Sequence, residues 1–211
     1  MEKCSEERLA LALKALSVMR HDVRNLLASV TIMADRMEQA GDERLAKAAP
    51  MLITSMERTV ALGVRAGQLV ELEPAAPSPI SLMELTALID DDAADVLFEG
   101  SPDGAVMANE DQLAIVLNEL VANAAVAGQS VVLRAAQSGD RIEIRVIDDG
   151  PGIPDYAQDD LFTAFKGAKR RDGSGLGLPI AARLAALNDG RLELERTGEG
   201  GTVFLLTLPA G

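Results

Sequence analysis

Val146-Ile147-Asp148-Asp149-Gly150-Pro151-Gly152-Ile153 closes a strand with a carboxylate and follows it with two glycines one residue apart. Once buried, such a carboxylate can accept a hydrogen bond from the exocyclic amine of adenine, and the glycines let backbone approach the ring. Taken alone, the same letters also spell an ordinary Asp-Asp-Gly-Pro turn, so the surrounding chain has to decide between them. The strand spans 141–148 and is separated from another at 130–137 by the hairpin-like Ser138-Gly139-Asp140. Farther out the pattern predicts helices at about 81–92, 110–127 and 176–188, a short strand near 96–99, and strands at 191–196 and 202–208. Helices interleaved with consecutive strands imply an α/β sandwich with a mixed, mostly antiparallel sheet.

Three further segments flank that strand. On the helix before it, Asn118-Glu119-Leu120-Val121-Ala122-Asn123-Ala124 sets Glu119 and Asn123 four residues apart, hence on one face. A carboxylate and a carboxamide so placed can order a water and hold a hard cation such as Mg²⁺ through oxygen. After the strand, Gly173-Ser174-Gly175-Leu176-Gly177-Leu178 leads into an Ala/Leu-rich helix, and glycines ahead of a helix N-terminus expose amides that cradle phosphate. The strand that would precede a dinucleotide-binding glycine motif is missing, as is any GxxxxGK[ST] motif. Between the two glycine segments, Lys166, Lys169, Arg170 and Arg171 form a cationic cluster that can cover phosphates as a lid. Each signal is weak alone, and their joint order is specific.

The N-terminal part reads differently. Residues 5–40 lack Gly and Pro and repeat apolar residues every seven: Leu9, Leu16, Val23, Val30 and Met37, with Ala12, Met19, Leu26 and Met33 three residues after. That is the seam of a long helix packed against other helices. Gly41-Asp42 breaks it, and a second helix, with an expected kink or late start at Pro50, continues to about Leu72. One apolar stripe per helix leaves both seams uncovered, so the fold expected is α+β: an antiparallel helical hairpin over 1–73 that dimerises into a four-helix bundle, then the α/β sandwich over 80–211. Three prolines in residues 74–79 mark the linker and are expected to stop helix and sheet alike. His21, the only histidine, falls on the outer face of the first helix beside Asp22 and one turn before Asn25. A neutral imidazole is a competent nucleophile, and an adjacent carboxylate can orient it and accept its proton.

In this order the segments of the second half resemble the ATP-binding domain of histidine kinases, within a superfamily shared with gyrase and mismatch-repair ATPases, over about residues 80–208. Asp111 through Ala124 resembles the asparagine box, Asp148-x-Gly150-x-Gly152-Ile153 the first glycine box, Leu161-Phe162-Thr163-Ala164-Phe165 the phenylalanine box, and Gly173 through Leu178 the second glycine box. The resemblance implies ATP and Mg²⁺ as cofactors, with Asn123 on the metal, Asp148 reading adenine, and Lys166, Lys169 or Arg170 on the phosphates. By the same resemblance Gly150, Gly152, Ile153, Phe165, Gly173, Ser174, Gly175, Leu176, Gly177 and Leu178 line the nucleotide. Glu119 stands where many histidine kinases have a second Asn and where ATP-hydrolysing relatives have a water-activating Glu. Arg20 through Leu27 resembles the phosphoacceptor box, with Leu26 in place of a proline common there. This implies His21 as phosphoacceptor, Asp22 as base, and Asn25 positioning the phosphoryl group or a hydrolytic water.

A protein of this kind phosphorylates itself on histidine and passes the phosphoryl group to an aspartate of a response-regulator receiver domain; a phosphatase activity toward that regulator is left open. A dimeric phosphotransfer adaptor with a non-catalytic ATP-like domain is the alternative, and intact Asn123, Asp148 and glycines speak against it. A serine-kinase or ATPase switch of the same superfamily leaves His21 and Asp22 unexplained. The net charge of −13 over 211 residues, with 2% aromatics, argues against a nucleic-acid partner. No apolar run is long enough to insert in a membrane, and the lone Cys4 forms no internal disulfide, so a cytoplasmic protein is expected, its signal arriving from a separate sensor protein or a missing sensor domain.

Overall fold

The computed structural model describes residues 74–90, 95–100, 103–164 and 175–211. The chain divides into two units, Met1–Glu71 and Leu72–Gly211, and the described residues belong to the second. The expected hairpin with His21, Asp22 and Asn25 lies outside the described residues, as do Phe165, Lys166, Lys169, Arg170, Gly173 and Ser174.

The order of elements is β1 (Ser78–Ser81), a 3₁₀ helix (Leu82–Leu88), β2 (Val96–Gly100), β3 (Ala105–Ala108) and α1 (Glu110–Ala127). Then follow β4 (Val131–Ser138), β5 (Arg141–Asp148), a single turn α2 (Asp155–Gln158), α3 (Gly177–Leu187), β6 (Arg191–Gly198) and β7 (Gly201–Pro209). The main sheet runs β2-β4-β5-β7-β6. Only β2 and β4 are parallel, and the other neighbours are antiparallel, so the sheet is mixed as expected. Burial alternates strictly along β5, which turns Ile142, Ile144, Val146 and Asp148 inward. Leu113, Leu117 and Leu120 of α1 and Leu184 of α3 are nearly or fully buried together with Leu206 and Leu208 of β7. Each such side chain contributes about 1.5–3 kcal/mol by leaving water, and together they fix the two helices on one face of the sheet.

α1 forms because eighteen residues without Gly or Pro place apolar side chains at three-to-four spacing. Its ends are specified too. The Asn109 side chain accepts from the Gln112 N–H (3.1 Å), and Glu110 and Asp111 complement the positive end of the helix. At the far end the chain leaves the helix at Gly128, whose N–H donates to Ala124 O (2.9 Å).

Three differences from the sequence expectations have local causes. The helix expected at 81–92 is a 3₁₀ turn capped by the Ser81 hydroxyl (Met83 N–H, 3.3 Å), and it stops at Leu88 as Ile89 turns extended. β1 begins at Ser78, inside the proline-rich 74–79 segment: Pro79 pairs with Met107 in a two-stranded β1–β3 sheet, where a strand has a free edge and a missing N–H is tolerated. β3, four residues long, is a strand that no sequence pattern announces, because its only partner in that sheet is the proline-containing β1.

Candidate functional site

Asp148 is the last inward residue of β5 and is 5% exposed. Its Oδ1 accepts the Gly150 N–H at 2.9 Å and the Thr202 N–H at 3.2 Å. Both bonds fall on one oxygen, which orients the carboxylate and leaves Oδ2 without a hydrogen bond among the described residues. A buried carboxylate held this way is an acceptor for an amine. The β6–β7 hairpin completes the surroundings: Thr197 Oγ1 accepts the Ile153 N–H (2.7 Å) and lies 3.3 Å from Thr202 Oγ1. Gly152 has φ +80°, and a Cβ there would run into the Gly198 carbonyl, so only glycine fits the turn that delivers Ile153 to Thr197. Thr197 and Thr202 were missed in the sequence. The bond from Thr202 spans 54 residues, and no local pattern announces it.

Across the domain, α1 presents Glu119 and Asn123, both half-buried. Asn123 Nδ2 donates to the Glu119 carbonyl (2.8 Å), which leaves its Oδ1 without a hydrogen bond among the described residues. The Glu119 carboxylate lies against Gly177, where a Cβ would displace Oε2, so the start of α3 packs directly on this face of α1. The second glycine segment thereby meets the Glu119–Asn123 face. α3 begins after Gly175 (φ +66°) and Leu176, which is fully buried, and among the described residues no side chain caps its first amides. Leu178 is half-buried in the first turn. Uncapped amides at a helix start favour an anion.

The oxygen donors Asn123 Oδ1 and Glu119 suit a hard cation. Among the described residues no three acidic, histidine or cysteine side chains gather into a metal cage. A cation here would draw its remaining ligands from phosphate and water, as Mg²⁺ carried on a nucleotide does. Asn118 is committed elsewhere: its Nδ2 donates to Leu88 O and Ala114 O (both 2.9 Å) and its Oδ1 accepts from Asp90 N–H (2.8 Å), tying the 3₁₀ helix to α1. Leu161 is buried, and Phe162 meets Phe204 edge to face (centroids 6.5 Å apart), which seats this end of the phenylalanine-containing segment on β7.

Two carboxylates are held below their ordinary range. Asp149 accepts from the Ser130 (3.1 Å) and Gln129 (2.7 Å) N–H groups, which stabilise its charge. Glu195, on β6, is lowered by its hydrogen bonds with Arg145, which also pairs with Glu143 at 2.8 Å. The arginine is held above its usual value by the Glu195 bond first.

An α/β sandwich with a mixed sheet, a buried carboxylate at the end of a central strand and glycine segments around an Asn-bearing helix defines a nucleotide-binding ATPase class. Residues 108–211 match the family of histidine kinase-, DNA gyrase B- and HSP90-like ATPases. Signal transduction histidine-protein kinase AfsQ2 of Streptomyces coelicolor is 41% identical over 103 residues, 46% of this chain and 19% of the relative. Sensor histidine kinase component HK1 of Mycobacterium tuberculosis H37Rv is 32% identical over 120 residues, 55% of this chain and 71% of the relative. The chain therefore belongs to the histidine kinases and contains their ATP-binding catalytic domain. The crystal structure of full-length ShkA in complex with AMPPNP has a similar fold, with a TM-score of 0.71 at 22% identity, covering 94% of this chain and 46% of that one. The chain spans under half the length of several curated relatives, between 12% and 48%. Among the described residues no helix is long and apolar enough to cross a membrane.

Proposed function

We propose that this chain is the catalytic core of a two-component histidine kinase that transfers the γ-phosphoryl group of ATP to His21 and then to an aspartate of a response-regulator receiver domain. The observation that carries the reading is the pairing of an oriented Asp148, with Oδ2 open to an adenine amine, with Asn123 and the uncapped start of α3 in the same domain. Residues 1–73 act as the dimerising hairpin and 80–211 as the catalytic domain, joined by 74–79, whose last two residues, Ser78 and Pro79, already pair in β1.

In this reading Asp148 accepts from the adenine amine while Gly150, Gly152 and Ile153 shape the backbone around the ring. Asn123 Oδ1 and the first amides of α3, with Gly173, Ser174, Gly175, Leu176, Gly177 and Leu178, hold the triphosphate. Phe165 borders the nucleotide, and Lys166, Lys169 or Arg170 cover its phosphates. Mg²⁺, held at Asn123, would neutralise charge on the phosphates during transfer. His21 supplies the electron pair that forms the N–P bond as the bond to the ADP oxygen breaks, and Asp22 takes the imidazole proton. Asn25 positions the phosphoryl group or a hydrolytic water, and Glu119, one turn before Asn123, orders a water beside the metal-bound phosphates. The partner is a second copy of the chain, in the cytoplasm, with a signal delivered from a sensor.

A single substitution tests the metal end. Asn123→Ala loses self-labelling from γ-labelled Mg·ATP yet still accepts phosphate from a phosphorylated regulator, because the acceptor histidine is untouched. Undiminished self-labelling in Asn123→Ala would contradict the assignment.

A further inference from the structure

We propose that Asp149 is a positioning residue: its carboxylate ties the end of α1 to the first glycine segment and so sets the separation between Asn123 and Asp148. Asp148 and Asp149 are neighbours in sequence with different tasks. Asp148 turns inward, whereas Asp149 is exposed and its Oδ1 accepts the N–H groups of Gln129 (2.7 Å) and Ser130 (3.1 Å), the first residues beyond Gly128. The two segments interlock. A Cβ on Gly128 would collide with Asp149 Oδ1 and stand 3.0 Å from the backbone nitrogens of Asp149 and Gly150. A Cβ on Gly150 would in turn stand 2.5 Å from the carbonyl oxygen of Ala127, the last residue of α1. Asn123 lies one helical turn before Ala127, so any slip at this junction carries it along the helix axis relative to Asp148.

The inference rests on the reading in which Asp148 takes adenine and Asn123 the metal-bound phosphates. Adenosine then needs only the Asp148 end, whereas Mg·ATP must satisfy both ends at a fixed distance. Loosening the junction penalises Mg·ATP selectively, and misplacement of a binding group by about 1 Å is enough for a large loss.

The test uses the full chain, calorimetric titration with Mg·ATP, and titration with adenosine followed by amide NMR shifts. Asp149→Ala should bind Mg·ATP about tenfold more weakly and adenosine within about twofold of wild type. Asp149→Asn, which keeps an Oδ1 acceptor, should restore Mg·ATP binding. Should the alanine chain lack a melting transition, Asp149→Ser replaces it, and the same split between ligands is required. Equal losses for the two ligands, no loss at all, or an asparagine variant as weak as alanine would overturn the proposal. If Asp148→Asn leaves adenosine binding of the otherwise native chain intact, the nucleotide reading itself falls and the proposal with it.

Discussion

Asp148 and Asp149 receive opposite treatment from one turn. Asp148 sits at an inward position of a strand with strict alternation, and its Oδ1 takes two backbone donors. Asp149, one residue on, faces solvent and collects the Gln129 and Ser130 amides. Those bonds favour the ionised form, so the folded pKa of Asp149 lies below the ordinary aspartate value. A depressed folded pKa means stability that is present above the unfolded value, near 3.9, and lost as pH falls through the folded one. Wild type should therefore lose more of its urea midpoint than Asp149→Asn on going from pH 7 to about pH 3. Parallel losses in the two proteins would mean that the carboxylate's charge adds nothing to the junction.

Among the elements, α1 makes the sharpest distinction between scaffold and site. Asn118 and Asn123 sit on one helix and look alike in sequence. Asn118 spends its amide on Leu88, Asp90 and Ala114, whereas among the described residues Asn123 bonds only back to Glu119 and keeps an oxygen open. Asn118→Ala, which strands the Asp90 N–H and Leu88 carbonyl, should cost about 1–3 kcal/mol in urea unfolding while leaving Mg·ATP affinity near wild type; a large affinity loss without destabilisation would reverse the assignment.

The same helix was readable from the sequence because its spacing, acidic first turn and terminal Gly128 all agree, and so was the β4–β5 hairpin with Asp148 at its end. β1 was not, since Pro79 speaks against a strand unless the strand lies at an edge, and edges are set by partners. Thr197 and Thr202 were hidden for a related reason: their value lies in Asp148 and Ile153, which the sheet brings to them from other strands. The Glu119–Asn123 face and Gly177 were each visible as motifs, but their contact depends on how α1 and α3 pack.

For the chain as a unit, the heptad in residues 5–40 predicts assembly. In the proposed hairpin, apolar seams left on its two helices would gain about 25 cal/mol per Å² when a second copy covers them. Light scattering at micromolar concentration should give twice the 22.2 kDa chain mass, and Val23→Asp, which puts a charge in the seam, should halve it. A wild-type monomer would remove the bundle. The charge asymmetry points the same way: the strongly acidic part lies C-terminal to residue 73, and the near-neutral N-terminal part can pair with itself without large repulsion.

The central claim is that phosphate leaves ATP in the catalytic domain and lands on His21. It is tested most directly by incubating the chain with γ-labelled Mg·ATP beside a His21→Gln variant that still binds ATP. A phosphohistidine is a phosphoramidate, stable in base and labile in acid. Wild type should acquire label of that kind and His21→Gln should acquire none. Label that persists in His21→Gln, or that survives acid in wild type, would contradict the account.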